Sequence, residues 1–307
     1  MKFKVILLLY FAGSVSLSAQ KTFLVFGGKT GWIGQKLVKL IAEQGHCAIA
    51  ARSRLENRSD IEQEIVEVKP DFIINAAGIT GVPNIDWIEE HKQETIRANI
   101  IGALNLADIA YIHSIHMTNI GTGCIYNYDM QHPIGSGKGF TEEDEPNFDG
   151  SFYSKSKAML EKFLRLYPNV LYLRLRLPLA SDFHQRNLIA KLTTYQKVVN
   201  IPNSITVLDD LLPLVPLMAL RGRTGVYNFV NPGVISHNEL LDLYKEYVDP
   251  SFEYQNFTLE EQDKILKAKR SNNELDTSKL QQEFPNICNV KQAAVEAFKK
   301  MKKSCNA

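Results

Sequence analysis

Two groups of residues have the type and spacing for chemistry before any fold is assigned. One is Gly27-Gly28-Lys29-Thr30-Gly31-Trp32-Ile33-Gly34, which contains Gly28-x-x-Gly31-x-x-Gly34. Glycines so spaced permit a tight turn and let the backbone approach a pyrophosphate at a helix N-terminus. A glycine triplet alone is also an ordinary structural turn. Here it stands between an apolar run, Phe23 to Phe26, and a helical pattern, Gln35 to Glu43. That strand–turn–helix setting points to a dinucleotide, contacted by Gly28, Thr30, Gly31, Trp32, Ile33 and Gly34. The other group is Tyr153 and Lys157, one helical turn apart and so on one helix face. A free tyrosine titrates near pH ~10, and a nearby ammonium favours its phenolate, which suits proton transfer at neutral pH. Tyr/Lys pairs of this spacing are also common on helices with no chemistry.

The elements that must position these groups alternate along the chain. His46 to Ala51 reads as a second strand, Ile61 to Val68 as a helix stopped by Pro70, and Phe72 to Asn75 as a third strand. A long amphipathic helix follows at Ile96 to His113, then a strand within Met117 to Tyr126. A helix at Tyr153 to Tyr167 and a strand at Val170 to Leu175 complete the series. Alternation of this kind means βαβ units: an α/β, Rossmann-like, doubly wound parallel sheet. Beyond Pro178 the alternation weakens, which implies a smaller mixed α/β substrate domain. The expected organisation is 21–180 for the cofactor domain and 181–307 mainly for substrate, with some segments returning to the first. The second strand runs into Ala51-Arg52-Ser53-Arg54, where an NAD site usually has an acidic residue. Arg52 and Arg54 suit a 2′-phosphate instead, so NADPH is expected over NADH. A pair of solvated surface arginines reads the same way. Asn75, Ala76, Ala77 and Gly78 follow the third strand and are small enough to let the chain pass beside a cofactor.

Composition sets the outer limits. The chain has 307 residues, a formal net charge of +1, 45% hydrophobic and 22% charged residues. These values exclude intrinsic disorder and argue against a nucleic-acid partner held by bulk charge. Cys47, Cys124, Cys288 and Cys305 lie far apart, with no metal-ligand spacing, so no metal is expected. Met1 to Gln20 has the layout of a secretory signal peptide: Lys2 and Lys4, an apolar run, then small residues. An unstructured tail is the other reading of 1–20. A folded domain starting at Lys21 and needing a cytosolic cofactor favours a cytoplasmic protein over the secretory pathway. No other apolar run suggests a membrane span.

The glycine motif, Asn75 to Gly78 and the Tyr153/Lys157 pair resemble the extended short-chain dehydrogenase/reductase superfamily. That resemblance implies Thr122 as a third catalytic member, bonding the substrate carbonyl. It implies Asn99 behind the lysine, although Asn99 is equally read as a helix-face polar residue. A narrower resemblance rests on Thr80-Gly81, Pro83-Asn84, Asp86-Trp87, GTGCI (Gly121 to Ile125), GSFYSKSK (Gly150 to Lys157), VVNIPNS (Val198 to Ser204), NPGVISHNE (Asn231 to Glu239) and RSNNELD (Arg270 to Asp276). These resemble the nucleotide-rhamnose 3,5-epimerase/4-reductases, which also form the C-terminal part of plant rhamnose synthases. Bacterial dTDP-4-dehydrorhamnose reductases look like more distant relatives.

The resemblance implies a UDP- or dTDP-linked 4-keto-6-deoxyglucose as substrate, nucleotide-β-L-rhamnose as product, and a place after a 4,6-dehydratase. Cys124 gains the role of base at C3 and C5, although by residue type it is an ordinary small hydrophobe. A nearby lysine and a helix terminus would make it a thiolate. Lys191 is the expected acid on the other sugar face, with His184 as the alternative. By position, Asn84, Trp87, Asn187, Asn200, Arg270 and Asn272 are expected near the nucleotide sugar. Trp87 also reads as packing, and Lys191 as a solvated helix lysine. A homodimer is the expected assembly. One departure is Val82, where plant members typically have arginine. Two other functions fit the same motifs: a 4-reductase fed an already epimerised sugar, and a non-catalytic NADP-binding regulatory subunit.

Overall fold

Successive residues of Thr22–Phe26 (β1) pack on opposite sides, as a strand buried on both faces requires. Phe23 and Val25 join one apolar cluster, Leu24 and Phe26 another. The computed structural model describes residues 19–305. The signal-peptide reading falls on 1–20 and so lies almost wholly outside the described residues.

The chain continues through α1 (Trp32–Glu43), β2 (Cys47–Ala50), α2 (Arg58–Val68) and β3 (Phe72–Asn75). After a 3-10 turn at Ile85–Glu89, α3 (Lys92–Thr95) runs through a π-helical stretch, Ile96–Ile101, into α4 (Gly102–Ile112). Then come β4 (His116–Thr122), α5 (Phe152–Leu164) and β5 (Val170–Leu175). The expected strand to Tyr126 stops at Thr122, because Gly123 and Cys124 turn out of the sheet. The second half holds α6 (Leu188–Leu192), β6 (Lys197–Val198), β7 (Pro202–Asn203), α7 (Leu208–Leu211), α8 (Leu214–Leu220) and β8 (Gly225–Asn228). It ends with β9 (Ile235–Ser236), α9 (His237–Tyr247), β10 (Gln255–Asn256), α10 (Leu259–Ile265), α11 (Ser278–Glu283) and α12 (Val290–Cys305).

The main sheet has six parallel strands in the order β2-β1-β3-β4-β5-β8. Helices α1, α7, α8 and α11 cover one face; α2, α4 and α5 cover the other. The chain order reverses between β1 and β3. The carboxyl ends of the strands at such a reversal are the place where sheets of this kind bind ligands. A third apolar cluster joins α6, α9 and α12 away from the sheet. Among the described residues no helix is long and apolar enough to cross a membrane.

Candidate active site

The glycines after β1 are fixed by one carbonyl. Gly31 donates to the Gly27 oxygen at 2.9 Å. A Cβ on Gly31 would sit 2.7 Å from that oxygen, and one on Gly34 would overlap it. Gly27 itself has φ +82°, and a Cβ there would press on Ala76 at 2.8 Å. The turn is thus held against both the first turn of α1, whose N–H groups have no partner within the helix, and the loop after β3. Asn75 accepts from the Ala77 N–H at 3.1 Å and donates to Asn119 at 2.8 Å, which fixes that loop. Lys157 stands at its far end, near Gly78 and Asn99. It is 7% exposed, and among the described residues nothing accepts a hydrogen bond from it. Burial pushes it down to about 8. A narrow glycine cradle ending at an unpartnered buried ammonium fits a dinucleotide with ribose hydroxyls.

Several expected cofactor contacts are revised by the geometry. The Asn99 carboxamide bonds both the N–H and the carbonyl of Ile79, at 2.7 and 2.8 Å. It braces the loop from the π-helical stretch. The Trp32 indole is buried, donates to Asp182 at 3.1 Å and stacks on His184. The Ile33 side chain packs into the core. Trp32 and Ile33 face the cradle through their main chain only, while Thr30 is exposed beside it. After β2, the buried Glu64 accepts from the N–H groups of Arg52 and Ser53, both at 2.8 Å. Glu64 shapes this turn, and the sequence reading missed it. Arg52 pairs with Glu67, and Arg54 lies 3.9 Å from Glu56. Both are exposed ion pairs, which a phosphate can displace at little cost.

The proton-transfer groups converge where β4, α5 and β5 end. Ser151 caps α5, accepting from the Ser154 N–H at 3.1 Å, and the Ser154 hydroxyl donates to the Cys124 carbonyl at 2.6 Å. Those bonds bring α5 against the Cys124 turn. Thr122 Oγ1 accepts from the Cys124 N–H at 3.1 Å, and both Thr122 and Cys124 act on the Tyr153 hydroxyl. Burial first, and the neighbouring Cys124 second, raise the Tyr153 phenol above its ordinary value; Thr122 opposes them. Lys157 is not among the groups that move it. The expected depression of the tyrosine by the lysine is therefore corrected: burial wins, and the phenol keeps its proton. The cation beside Cys124 is also not the expected lysine. It is Arg176, whose Nη1 lies 3.3 Å from Sγ.

On the substrate side, burial first, then Arg186 and Arg270, lower the half-buried Lys191. Arg270 pairs with Asp86 at 2.9 Å and also donates to the Ala268 carbonyl. Asn84 caps the 3-10 turn that carries Asp86 and Trp87, and Trp87 stacks on His91 at 3.6 Å. Asn272 accepts from the Asn203 amide at 2.9 Å, while Asn200 is exposed. Asn187 is corrected. It is 0% exposed, caps α6 through the Ile189 N–H, and donates to the Ala180 and Asp182 carbonyls. Its side chain is engaged in building the loop. His184 accepts from the Arg186 N–H through Nδ1, which ties it into that loop.

Comparison with known proteins bears on the family and the fold. Residues 24–192, more than half of the chain, match the NAD dependent epimerase/dehydratase family. A bifunctional dTDP-4-dehydrorhamnose 3,5-epimerase/dTDP-4-dehydrorhamnose reductase of Arabidopsis thaliana is 54% identical over 92% of this chain and 93% of its own length. A trifunctional UDP-glucose 4,6-dehydratase/UDP-4-keto-6-deoxy-D-glucose 3,5-epimerase/UDP-4-keto-L-rhamnose-reductase of the same plant is also 54% identical, over 89% of this chain; the chain spans only 41% of that protein. The crystal structure of the L780 UDP-rhamnose synthase from Acanthamoeba polyphaga mimivirus superposes with a TM-score of 0.88, at 38% identity, covering 92% of this chain and 100% of that one. The chain belongs to the NAD dependent epimerase/dehydratase family, in the branch that holds these rhamnose-forming epimerase/reductases.

Proposed function

We propose that this protein is a 3,5-epimerase and NADPH-dependent 4-reductase that converts UDP- or dTDP-4-keto-6-deoxyglucose to nucleotide-β-L-rhamnose. The observation that carries the reading is the meeting of Thr122, Cys124 and Tyr153 at one point, with Lys157 one turn further along the helix that carries Tyr153. A C4 ketone held there accepts hydrogen bonds from Thr122 and Tyr153. This acidifies the hydrogens at C3 and C5 and stabilises the enolate oxygen. Cys124 removes each proton. Lys191, lowered by burial and by two guanidinium groups, returns a proton from the opposite face after each removal. The glycine cradle from Gly27 to Gly34 and the Lys157 ammonium would hold a reduced nicotinamide dinucleotide, which when bound would supply the hydride for C4. Tyr153, still protonated, then gives its proton to the C4 oxygen. Both half-reactions use the same polarised oxygen, so one site serves both.

Arg52 and Arg54 support NADPH over NADH. A homodimer, a preceding 4,6-dehydratase and a cytoplasmic location belong to the same reading. The test is product analysis by NMR, with the full chain, UDP-4-keto-6-deoxyglucose and NADPH in D2O. The expected product is nucleotide-rhamnose with deuterium at C3 and C5. Cys124→Ala should abolish that exchange while still reducing an already epimerised ketone. Full activity of Cys124→Ala on the un-epimerised ketone would sink the bifunctional reading.

A further inference from the structure

Arg174 and Arg176 stand two residues apart at the end of β5, and both are buried, at 0% and 1% exposure. Arg174 has a common solution. Its Nε and Nη2 reach the Glu161 carboxylate at 3.0 and 2.6 Å. Arg176 has no carboxylate within ion-pair distance among the described residues. Its Nη1 donates to Ser271 Oγ at 2.7 Å and lies 3.3 Å from Cys124 Sγ. Its Nη2 donates to the Ser271 carbonyl at 2.7 Å and to Asn203 Oδ1. Its Nε is buried without a partner. A guanidinium does not shed its proton, and an isolated buried cation is costly.

The groups around this pair leave one candidate anion. His237, on α9, is pushed down to about 4, by burial first and Arg176 second, and is neutral. Tyr128 is pushed up to about 12, mainly by burial, and donates to the Pro202 carbonyl. Glu274 acts on Tyr128 without pairing with Arg176. Tyr153, against Cys124, is raised and protonated. The remaining contact able to carry negative charge is the Cys124 sulfur.

We propose that Arg176 is the counter-ion of Cys124, holding its sulfur as a thiolate for the epimerase half of the reaction and leaving the reductase half alone. This rests on Cys124 being the base of the proposed function. When Sγ takes a proton from C3 or C5, the negative charge passes to the enolate oxygen, and the charge of the site is unchanged. Arg176 acts through Cys124 and is a positioning residue.

The test uses the full chain with NADP bound, and compares wild type, Arg176→Gln, Cys124→Ser and the double variant. Arg176→Gln should slow deuterium exchange at C3 and C5 by about 100-fold. It should change reduction of an already epimerised ketone by less than about fivefold. In the Cys124→Ser background it should cost no more than about threefold further, because the two residues act as one unit. Iodoacetamide labelling of Cys124, read by peptide mass, should move to higher pH by roughly one unit or more. A merely structural role predicts equal loss of both halves with an unmoved labelling profile, and that outcome overturns the proposal. If Arg176→Gln does not fold, Arg176→Lys decides. With the charge kept, the labelling profile should stay within about half a unit, and a shift of a full unit or more overturns the proposal. Wild type without exchange would fail the proposed function itself; exchange that survives in Arg176→Gln fails only this inference.

Discussion

A buried ammonium without an acceptor is costly, and Lys157 is one, at 7% exposure with its proton affinity lowered to about 8. The sign of the linkage follows. Between pH 8 and 10.5 the unfolded chain holds a proton that the folded chain has lost, so this group's contribution to stability rises with pH. Below pH 8 both states are charged and the full penalty applies. Lys157→Met should therefore stabilise the fold at pH 7, by on the order of 3 kcal/mol. The gain should disappear as pH approaches 10.5. Thermal unfolding of both proteins across that range is the check; a gain independent of pH would mean that packing, not charge, is responsible. Activity runs the other way. With the lysine charge needed to bind a ribose and to replenish the Tyr153 proton, the rate of reduction should fall as pH rises through about 8. A rate that stays flat to pH 10 would remove Lys157 from that role.

Elements, not single residues, decide how close two backbones come. Gly34 lies in the first turn of α1, where a Cβ would overlap the Gly27 carbonyl oxygen. The Gly27 side of the contact has little room to give, since a Cβ built there would come within 2.8 Å of Ala76. Gly34→Ala should cost about 1–3 kcal/mol and weaken NADPH binding together with stability, measured by urea unfolding and by NADPH fluorescence titration. A stable Gly34→Ala protein with wild-type affinity would show that the turn relaxes freely. This part of the fold was readable in sequence because glycine spacing, strand length and helical periodicity are local signals. The same holds for β1, β3 and β5, whose apolar runs pack on both faces of the sheet. What escaped depends on tertiary partners. Asn187 and Asn99 look like ligand-binding asparagines until their amides are seen closing on backbone of distant or adjacent loops. Glu64 reads as one polar residue of α2, yet it accepts two N–H groups across the turn after β2. Arg176 did leave a trace: two arginines in the run Val170 to Leu177 are charges inside a buried strand, and each needs a partner.

Among the described residues the apolar side chains form four clusters, and three of them divide the labour. Two of them lie on the faces of the sheet and hold the glycine cradle, Tyr153 and Lys157. The third holds α6, and with it Lys191, through α9 and α12. The segment around Asn273 crosses between them: its amide donates to the Gly123 and Tyr126 carbonyls, and its N–H to Asn203. A defect deep in the third cluster should therefore reach the substrate side first. Phe298, in α12, is 0% exposed and packs edge-on against Tyr244 of α9 at 5.8 Å. Truncating it leaves a cavity next to α9, on which α6 rests. Phe298→Ala should cost about 3–5 kcal/mol of stability. Below its unfolding transition it should raise KM for the keto sugar and slow reprotonation by Lys191, with the affinity for NADPH unchanged. Fluorescence titration of NADPH beside steady-state kinetics on the same sample separates the two. Parallel loss of cofactor and substrate affinity would mean that the three clusters behave as one cooperative body, and that the site is built by all of them together.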